Sequence, residues 1–258
     1  MREVLERLAR GEITVDEAER ALRVDIVEKV GGVARLDISR SVRRGVPEIV
    51  LAEGKSNDDL KSICESMLNR NGRAIVSRVS DTQLSVLKKI SSDKYRVSEF
   101  AHSRCVVVKR QDFVVTQTGG KVGILTAGTV DLGVAEEAAM IAEEMGCKVY
   151  LEADAGVAGI HRLVEPLSKM IQNDVDALIV VAGREGALPT VVAGLVDLPI
   201  IAVPASSGYG YGAQGQAALM AMLQACSLGL AVVNIDSGIA AGVVAAQIAN
   251  RVAKARKT

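Results

Sequence analysis

The sequence predicts an α/β protein: a doubly wound parallel sheet of the Rossmann or flavodoxin-like kind over residues 119–258, preceded over 1–118 by a helical appendage and a smaller α/β domain. Three observations carry this. In the second half, five near-continuous runs of Val, Ile, Leu and Ala alternate with helical patterns; strands covered on both faces need such runs. In the first half, shorter apolar runs also alternate with helix-like stretches. Between the halves the composition breaks: residues 1–118 hold 40 charged side chains (22 basic, 18 acidic) and 119–258 only 22 (9 basic, 13 acidic). TQTGGK, residues 116–121, lies at that break as a polar, glycine-bearing linker.

The chain opens on two short helical patterns, the second announced by Thr14 and Glu17 at the spacing of a capping box. PEIVLAEG, a helix-like stretch from Ser56 to Leu68, the run AIVS, a second helix-like stretch from Asp81 to Ile90, and RCVVVKR then complete the smaller domain. RSVRRG places Arg40, Arg43 and Arg44 close together, as a phosphate contact or as a solvated face. The second half runs KVGILTAG and a helix over 132–145, then CKVYLEA and a helix near 161–172. DALIVVAG with a helix over 186–195, LPIIAVPA with a helix over 213–226, and LAVVNID with an Ala-rich helix to the end follow.

Bulk properties narrow the function. The 258 residues are 49% hydrophobic, enough for sizeable cores, and 31 basic side chains balance 31 acidic ones. No global charge calls for nucleic acid, and with no Trp, two Phe and four Tyr the case for base-stacking platforms is weak. A small ligand fits better. The charged opening MREVLERLARGE and the lack of a long uninterrupted apolar run predict a cytoplasmic protein without a membrane span. Cys64, Cys105, Cys147 and Cys226 show no CxxC pairing and read as thiols. His102 and His161 are the only histidines, which argues against a multi-histidine metal site.

In open parallel sheets the ligand lies beyond the carboxyl ends of the strands. The residues there are small or polar: Thr126 to Asp131, Asp154 to Arg162, Ala182 to Pro189, Pro204 to Gly212, and Asn234 to Gly238. Glycine-rich turns entering helix N-termini, here including Gly128 and Gly183, expose unpaired N–H groups that suit a phosphate. Asp131 reads as a helix cap or, beside Thr126 and Thr129, as a partner for ligand hydroxyls. His161 and Arg162 read as a phosphate-binding pair, with local capping by His161 as the alternative. Glu185 sits amid small residues where burial can tune a carboxyl for proton transfer, or it serves only the helix dipole. Cys226 ends the QAALMAMLQAC pattern, and composition alone favours an inert buried thiol. The other three cysteines read as structural.

The segments TAGTVDLGVAEEA, AGIHRL, VAGREGALPTVVAGL, VPASSGYG and CSLGLAVVNIDSG, with LDISRSVRRGVPEIVLAEGKS upstream, resemble the LarB family of nickel-pincer cofactor biosynthesis proteins across essentially the whole chain. The C-terminal domain is also similar to the carboxyaminoimidazole ribonucleotide mutases of purine synthesis, which lack the long N-terminal domain. The LarB resemblance implies carboxylation of the pyridinium ring of nicotinic acid adenine dinucleotide at carbon 5, with carbon dioxide as co-substrate and no tightly bound cofactor. It further implies release of AMP, leaving pyridinium-3,5-biscarboxylic acid mononucleotide, and assembly as a homo-oligomer whose copy number is open. Mg²⁺ at the diphosphate is left open.

By the same resemblance Cys226 is the nucleophile and Glu185 the base. Thr126, Gly128, Asp131, His161, Arg162, Gly183, Arg184, Ser206, Ser207, Asn234 and Asp236 are implied to line the dinucleotide pocket, joined by Arg40, Arg44, Glu48 and Lys55 from the N-terminal domain. Two departures touch substrate placement: Val130 stands where the related motifs usually carry Ser, and Ser237-Gly-Ile-Ala240 replaces Asn-Gly-Phe-Gly. The alternatives are a ribonucleotide mutase or carboxylase acting on an imidazole, and a non-catalytic nucleotide-binding module.

Overall fold

The computed structural model of the chain describes residues 2–22, 27–30, 34–37, 40, 44–212 and 214–257. Arg43 of the arginine cluster and Ala213, the expected start of a helix, lie outside the described residues. Two compact units form, residues 1–98 with 106–113 and residues 99–105 with 114–258.

In the first unit, α1 (Arg2–Ala9) and α2 (Val15–Leu22) are the two expected short helices. The Thr14 amide donates to Glu17 at 2.8 Å and the Glu17 amide to Thr14 Oγ1 at 3.2 Å, the reciprocal bonding of a capping box. An antiparallel hairpin follows, β1 (Val27–Val30) with β2 (Ala34–Asp37). Next come β3 (Ile49–Leu51), α3 (Asn57–Asn71), β4 (Arg73–Ser77), α4 (Asp81–Lys88), β5 (Tyr95–Phe100) and β6 (Cys105–Arg110), in a sheet ordered β3-β4-β6-β5. Ser56 caps α3 through the Asp59 amide, and Gly72 ends it in the left-handed region at φ 71°. Gln83 is buried, and its amide nitrogen donates to the Ala52 and Lys55 carbonyls at 2.9 Å each, tying α4 to the chain after β3. The hairpin and β5 are strands that the apolar runs did not announce.

In the second unit β7 (Lys121–Thr126), β8 (Lys148–Glu152), β9 (Ala177–Ala182), β10 (Ile200–Pro204) and β11 (Leu230–Val232) pair in parallel throughout. Every residue of β9 and β10 is buried, as their unbroken apolar character requires. The helices are α5 (Leu132–Glu144), α6 (Val164–Gln172), α7 (Ala187–Ala193), α8 (Gln216–Leu223) and α9 (Gly238–Ala255). One face of the sheet packs Leu125, Leu178, Val180 and Ala202 against Leu167 and Met170 of α6, Leu188 and Val192 of α7, and Ala218 and Met222 of α8. Helix α9 packs closely on α5: a Cβ at Gly242 would collide with Ala138 and Ile141, and one at Gly238 with Val134 and Glu137. Gly238 and Gly242 of α9 are therefore used for packing inside the chain.

The strand order is β11-β10-β9-β7-β8, so the chain steps outward from β7 to β8 and then returns to build on the other side. This is the doubly wound arrangement expected, and its switch point lies between β7 and β9, where such folds open a crevice. Among the described residues no helix is long and apolar enough to cross a membrane.

Candidate active site

A cavity of about 370 Å³ opens at that switch point, at the low end of ligand pockets in general. The loop after β7 contributes Ala127, Gly128, Val130 and Asp131; the loop after β8 contributes Gly156, Val157, Ala158 and Arg162. Ala182 at the end of β9, Gly183 to Glu185 after it, and Ala187 and Leu188 of α7 add to the lining, with Ser207 and Tyr209 from beyond β10. Seven of the residues expected from sequence are thus brought together: Gly128, Asp131, Arg162, Gly183, Arg184, Glu185 and Ser207.

Asp131 is the buried acid of the cavity, 4% exposed. Ser207 Oγ donates to its Oδ1 at 2.7 Å and the Gly128 amide to its Oδ2 at 3.0 Å, so one carboxylate links two loops. Burial raises its pKa above the usual carboxylate value and the nearby charge of Asp236 adds to the rise, while the two hydrogen bonds oppose it. The fifth loop takes part indirectly: Asp236 Oδ1 accepts the Ser206 amide at 2.8 Å, and Asn234 Oδ1 accepts the Ile235 amide at 2.9 Å. Ser206, Asn234 and Asp236 support the wall and do not line the cavity.

The Gly183 position decides whether Ser207 can reach Asp131, because a Cβ there would collide with Ser207 Oγ. Gly183→Ala should therefore cost about 1–3 kcal/mol of stability by overpacking, seen as a lower thermal midpoint, and weaken ligand binding beyond what that loss explains. Unchanged affinity in the folded variant would contradict the role given to the Ser207–Asp131 bond.

Four of the expected residues, Arg162 and Glu185 of the lining among them, are engaged or exposed in ways the sequence did not announce. Thr126 is fully buried, its Oγ1 donating to the Gly128 carbonyl at 2.9 Å and accepting the Asp154 amide at 3.4 Å. Its hydroxyl joins the first two loops instead of facing a ligand. His161 is exposed and outside the lining, and Arg162 lies 2.9 Å from Asp154. Glu185 lines the cavity but is exposed in the single chain, so the burial expected to tune it is not supplied there. In the first unit Arg40 pairs with Glu48 at 3.1 Å, Arg44 is exposed, and the Lys55 carbonyl holds Gln83.

Cys226 is placed at the other end of the sheet. Helix α8 stops at Leu223, earlier than the apolar pattern suggests, and Cys226 falls in the exposed turn leading into β11. Ser227 Oγ next to it donates to the Thr190 carbonyl at 2.9 Å, and the Gly229 carbonyl accepts from the Ile200 amide that begins β10. This is the amino edge. Since β10 is five residues long, the two edges lie about 15 Å apart at the usual strand rise.

The other cysteines are buried, and burial pushes the Cys64 thiol up to about 12 and the Cys147 thiol up to about 11. A thiol reagent at neutral pH should therefore label one cysteine rapidly in the folded protein, counted by intact mass. Rapid labelling that persists in Cys226→Ala would overturn that assignment.

Several helix starts gather at the carboxyl edge. Helices α5, α7, α8 and α9 start there without a side-chain cap, whereas Ser56 and Ser80 cap α3 and α4 in the first unit. Helix α5 continues a 3-10 turn, Thr129–Asp131, whose Thr129 carbonyl accepts the Leu132 amide, whereas α7, α8 and α9 start with no side chain on their first N–H groups, which suits an anion. Among the described residues, no group of three or more His, Cys, Asp or Glu is arranged to hold a metal ion. Tyr209 and Asp154 were not singled out from the sequence; the signal for Tyr209 was its place between Gly208 and Gly210 in a chain with only six aromatic side chains.

Residues 121–257 match the AIR carboxylase family and residues 27–110 the LarB/PurE-like N-terminal domain. An uncharacterized protein of Methanocaldococcus jannaschii is 40% identical over 251 residues, 96% of each chain. N5-carboxyaminoimidazole ribonucleotide mutases of the same organism and of Pyrococcus horikoshii are 34% and 31% identical over 48% and 49% of this chain, covering 76% and 71% of their own lengths. With both domains matched in this order and a relative aligned from end to end, the chain belongs to the LarB family, an AIR carboxylase-type domain carried behind a LarB/PurE-like N-terminal domain.

Proposed function

We propose that the protein carboxylates carbon 5 of the pyridinium ring of nicotinic acid adenine dinucleotide and hydrolyses its phosphoanhydride with one water, releasing AMP and pyridinium-3,5-biscarboxylic acid mononucleotide for nickel-pincer cofactor synthesis. The observation that carries this reading is the joining of a LarB-type N-terminal domain to a carboxylase-type domain that also presents an exposed thiol.

A pyridinium cation is electron-poor and does not attack carbon dioxide. Addition of the Cys226 thiolate to the carbon next to carbon 5 moves an electron pair into the ring and makes carbon 5 the nucleophilic end of an enamine. Carbon 5 then bonds to carbon dioxide, Glu185 takes the carbon 5 proton, and the thiolate leaves as the ring regains aromaticity. The loops with open N–H groups hold the phosphates, and Asp131 suits a ribose hydroxyl.

Cys226 and Glu185 lie at opposite edges of the sheet in one chain, too far apart to work on one ring. In this reading the thiol reaches the ring from a second copy, and the exposed Leu223 and Leu228 beside Cys226 give that contact an apolar rim. Closure by the second copy also supplies the burial that Glu185 lacks in the single chain. The test is incubation with nicotinic acid adenine dinucleotide and ¹³C-bicarbonate, followed by mass spectrometry. AMP and a labelled biscarboxylated mononucleotide are expected, and the absence of both from folded protein rejects the proposal in favour of a binding module.

A further inference from the structure

Arg184 and Tyr209 form a pair at the mouth of the cavity. The guanidinium carbon of Arg184 lies 4.3 Å from the centre of the Tyr209 ring, and both residues line the cavity. Tyr209 is 77% exposed, so its ring is not there to fill a core. What fixes the pair is backbone: a Cβ at Gly208 would lie 2.9 Å from the Arg184 amide nitrogen, so only glycine lets the loops after β9 and β10 approach this closely. Arg184 itself holds φ 52°, a strained conformation for a residue with a side chain. The two loops are thus shaped to stack a flat cation on an aromatic face.

A guanidinium is planar and positively charged, and an aromatic face attracts it through the ring quadrupole. A pyridinium ring shares both properties. We infer that the face of Tyr209 is the receptor for the planar cationic ring of the ligand, with Arg184 holding that place until the ligand displaces it. In the same lining the acids Asp131 and Glu185 offset Arg162 and Arg184, so the cavity does not repel a cation. This makes Tyr209 a specificity-determining residue that separates a cationic heteroaromatic ring from a neutral one of the same size. The inference deepens the pyridinium reading above, and its choice of probe rests on that reading.

The test is calorimetric titration of the intact protein with nicotinic acid mononucleotide and with its 1,4-dihydro form, whose ring is neutral. The wild type is expected to prefer the cationic form. Tyr209→Leu should weaken the cationic form about tenfold, the scale of a partly desolvated cation–π contact, and leave the neutral form unchanged. Tyr209→Phe, which keeps the ring, should bind like wild type. Equal loss of both forms in Tyr209→Leu, or no loss, overturns the inference while product formation still upholds the carboxylation reading. Tyr209-dependent preference for the cation without product formation upholds the inference and rejects that reading. Failure of the wild type to bind the mononucleotide overturns the inference and leaves the carboxylation reading to stand or fall on product formation.

Discussion

Cys226→Ala should lower carboxylation of nicotinic acid adenine dinucleotide by roughly 10³-fold or more, the scale on which removing a covalent nucleophile acts. In the proposed mechanism the loss is this large because the cationic ring has no nucleophilic carbon until a thiolate adds to it. Cys64, Cys105 and Cys147 cannot substitute, being buried in the fold. The turn carrying Cys226 is exposed, so removing the sulfur should leave thermal stability within about 0.5 kcal/mol of wild type. The readout is formation of the labelled mononucleotide by the folded variant. Undiminished carboxylation would sink the thiol mechanism and favour a mutase-like route with no covalent step.

Glu185→Gln should slow turnover by about 10²–10⁴-fold, the usual worth of a positioned general base. Its effect differs in kind from that of Cys226→Ala. In the proposed sequence thiolate addition and capture of carbon dioxide precede removal of the carbon 5 proton, so the variant should accumulate ligand covalently bound through Cys226. Intact-mass measurement after incubation with substrate and bicarbonate detects that species, and the double variant with Cys226→Ala should lack it. Full activity in Glu185→Gln assigns the proton to another group, and the buried Asp131, whose pKa is already raised, is the first to examine.

Much of this architecture is legible in the residues. The five apolar runs of the second half are the five parallel strands because a strand buried on both faces has no room for alternation. Thr14 and Glu17 announce α2 because the side-chain bonds that start a helix are local. Tyr95–Phe100 was missed because only part of its surface is covered, so charged side chains interrupt any apolar pattern. Helix α8 looked longer because QAALMAMLQAC has good helix formers throughout; the need to turn back into β11 overrides local preference after Leu223.

The same division holds for the site. The glycine and hydroxyl loops could be found because parallel sheets place ligands beyond strand carboxyl ends. That Thr126 turns inward and Arg162 meets Asp154 depends on contacts between loops far apart in sequence. The position of Cys226 is different again. It lies between a helix and the strand that follows, which in a parallel sheet means the amino edge, away from the loop that carries Glu185.

Complementation between two inactive variants tests most directly the proposal that one site is shared between two copies. Cys226→Ala and Glu185→Gln chains, carried on different affinity tags, are co-expressed, and assemblies containing both are purified and assayed for the biscarboxylated mononucleotide. If the thiol and the base come from different copies, roughly a quarter of the sites in a random mixed assembly combine both wild-type groups, and activity returns well above either parent. Mixed assemblies as inactive as their parents would contradict a shared site and place both residues' work within one chain.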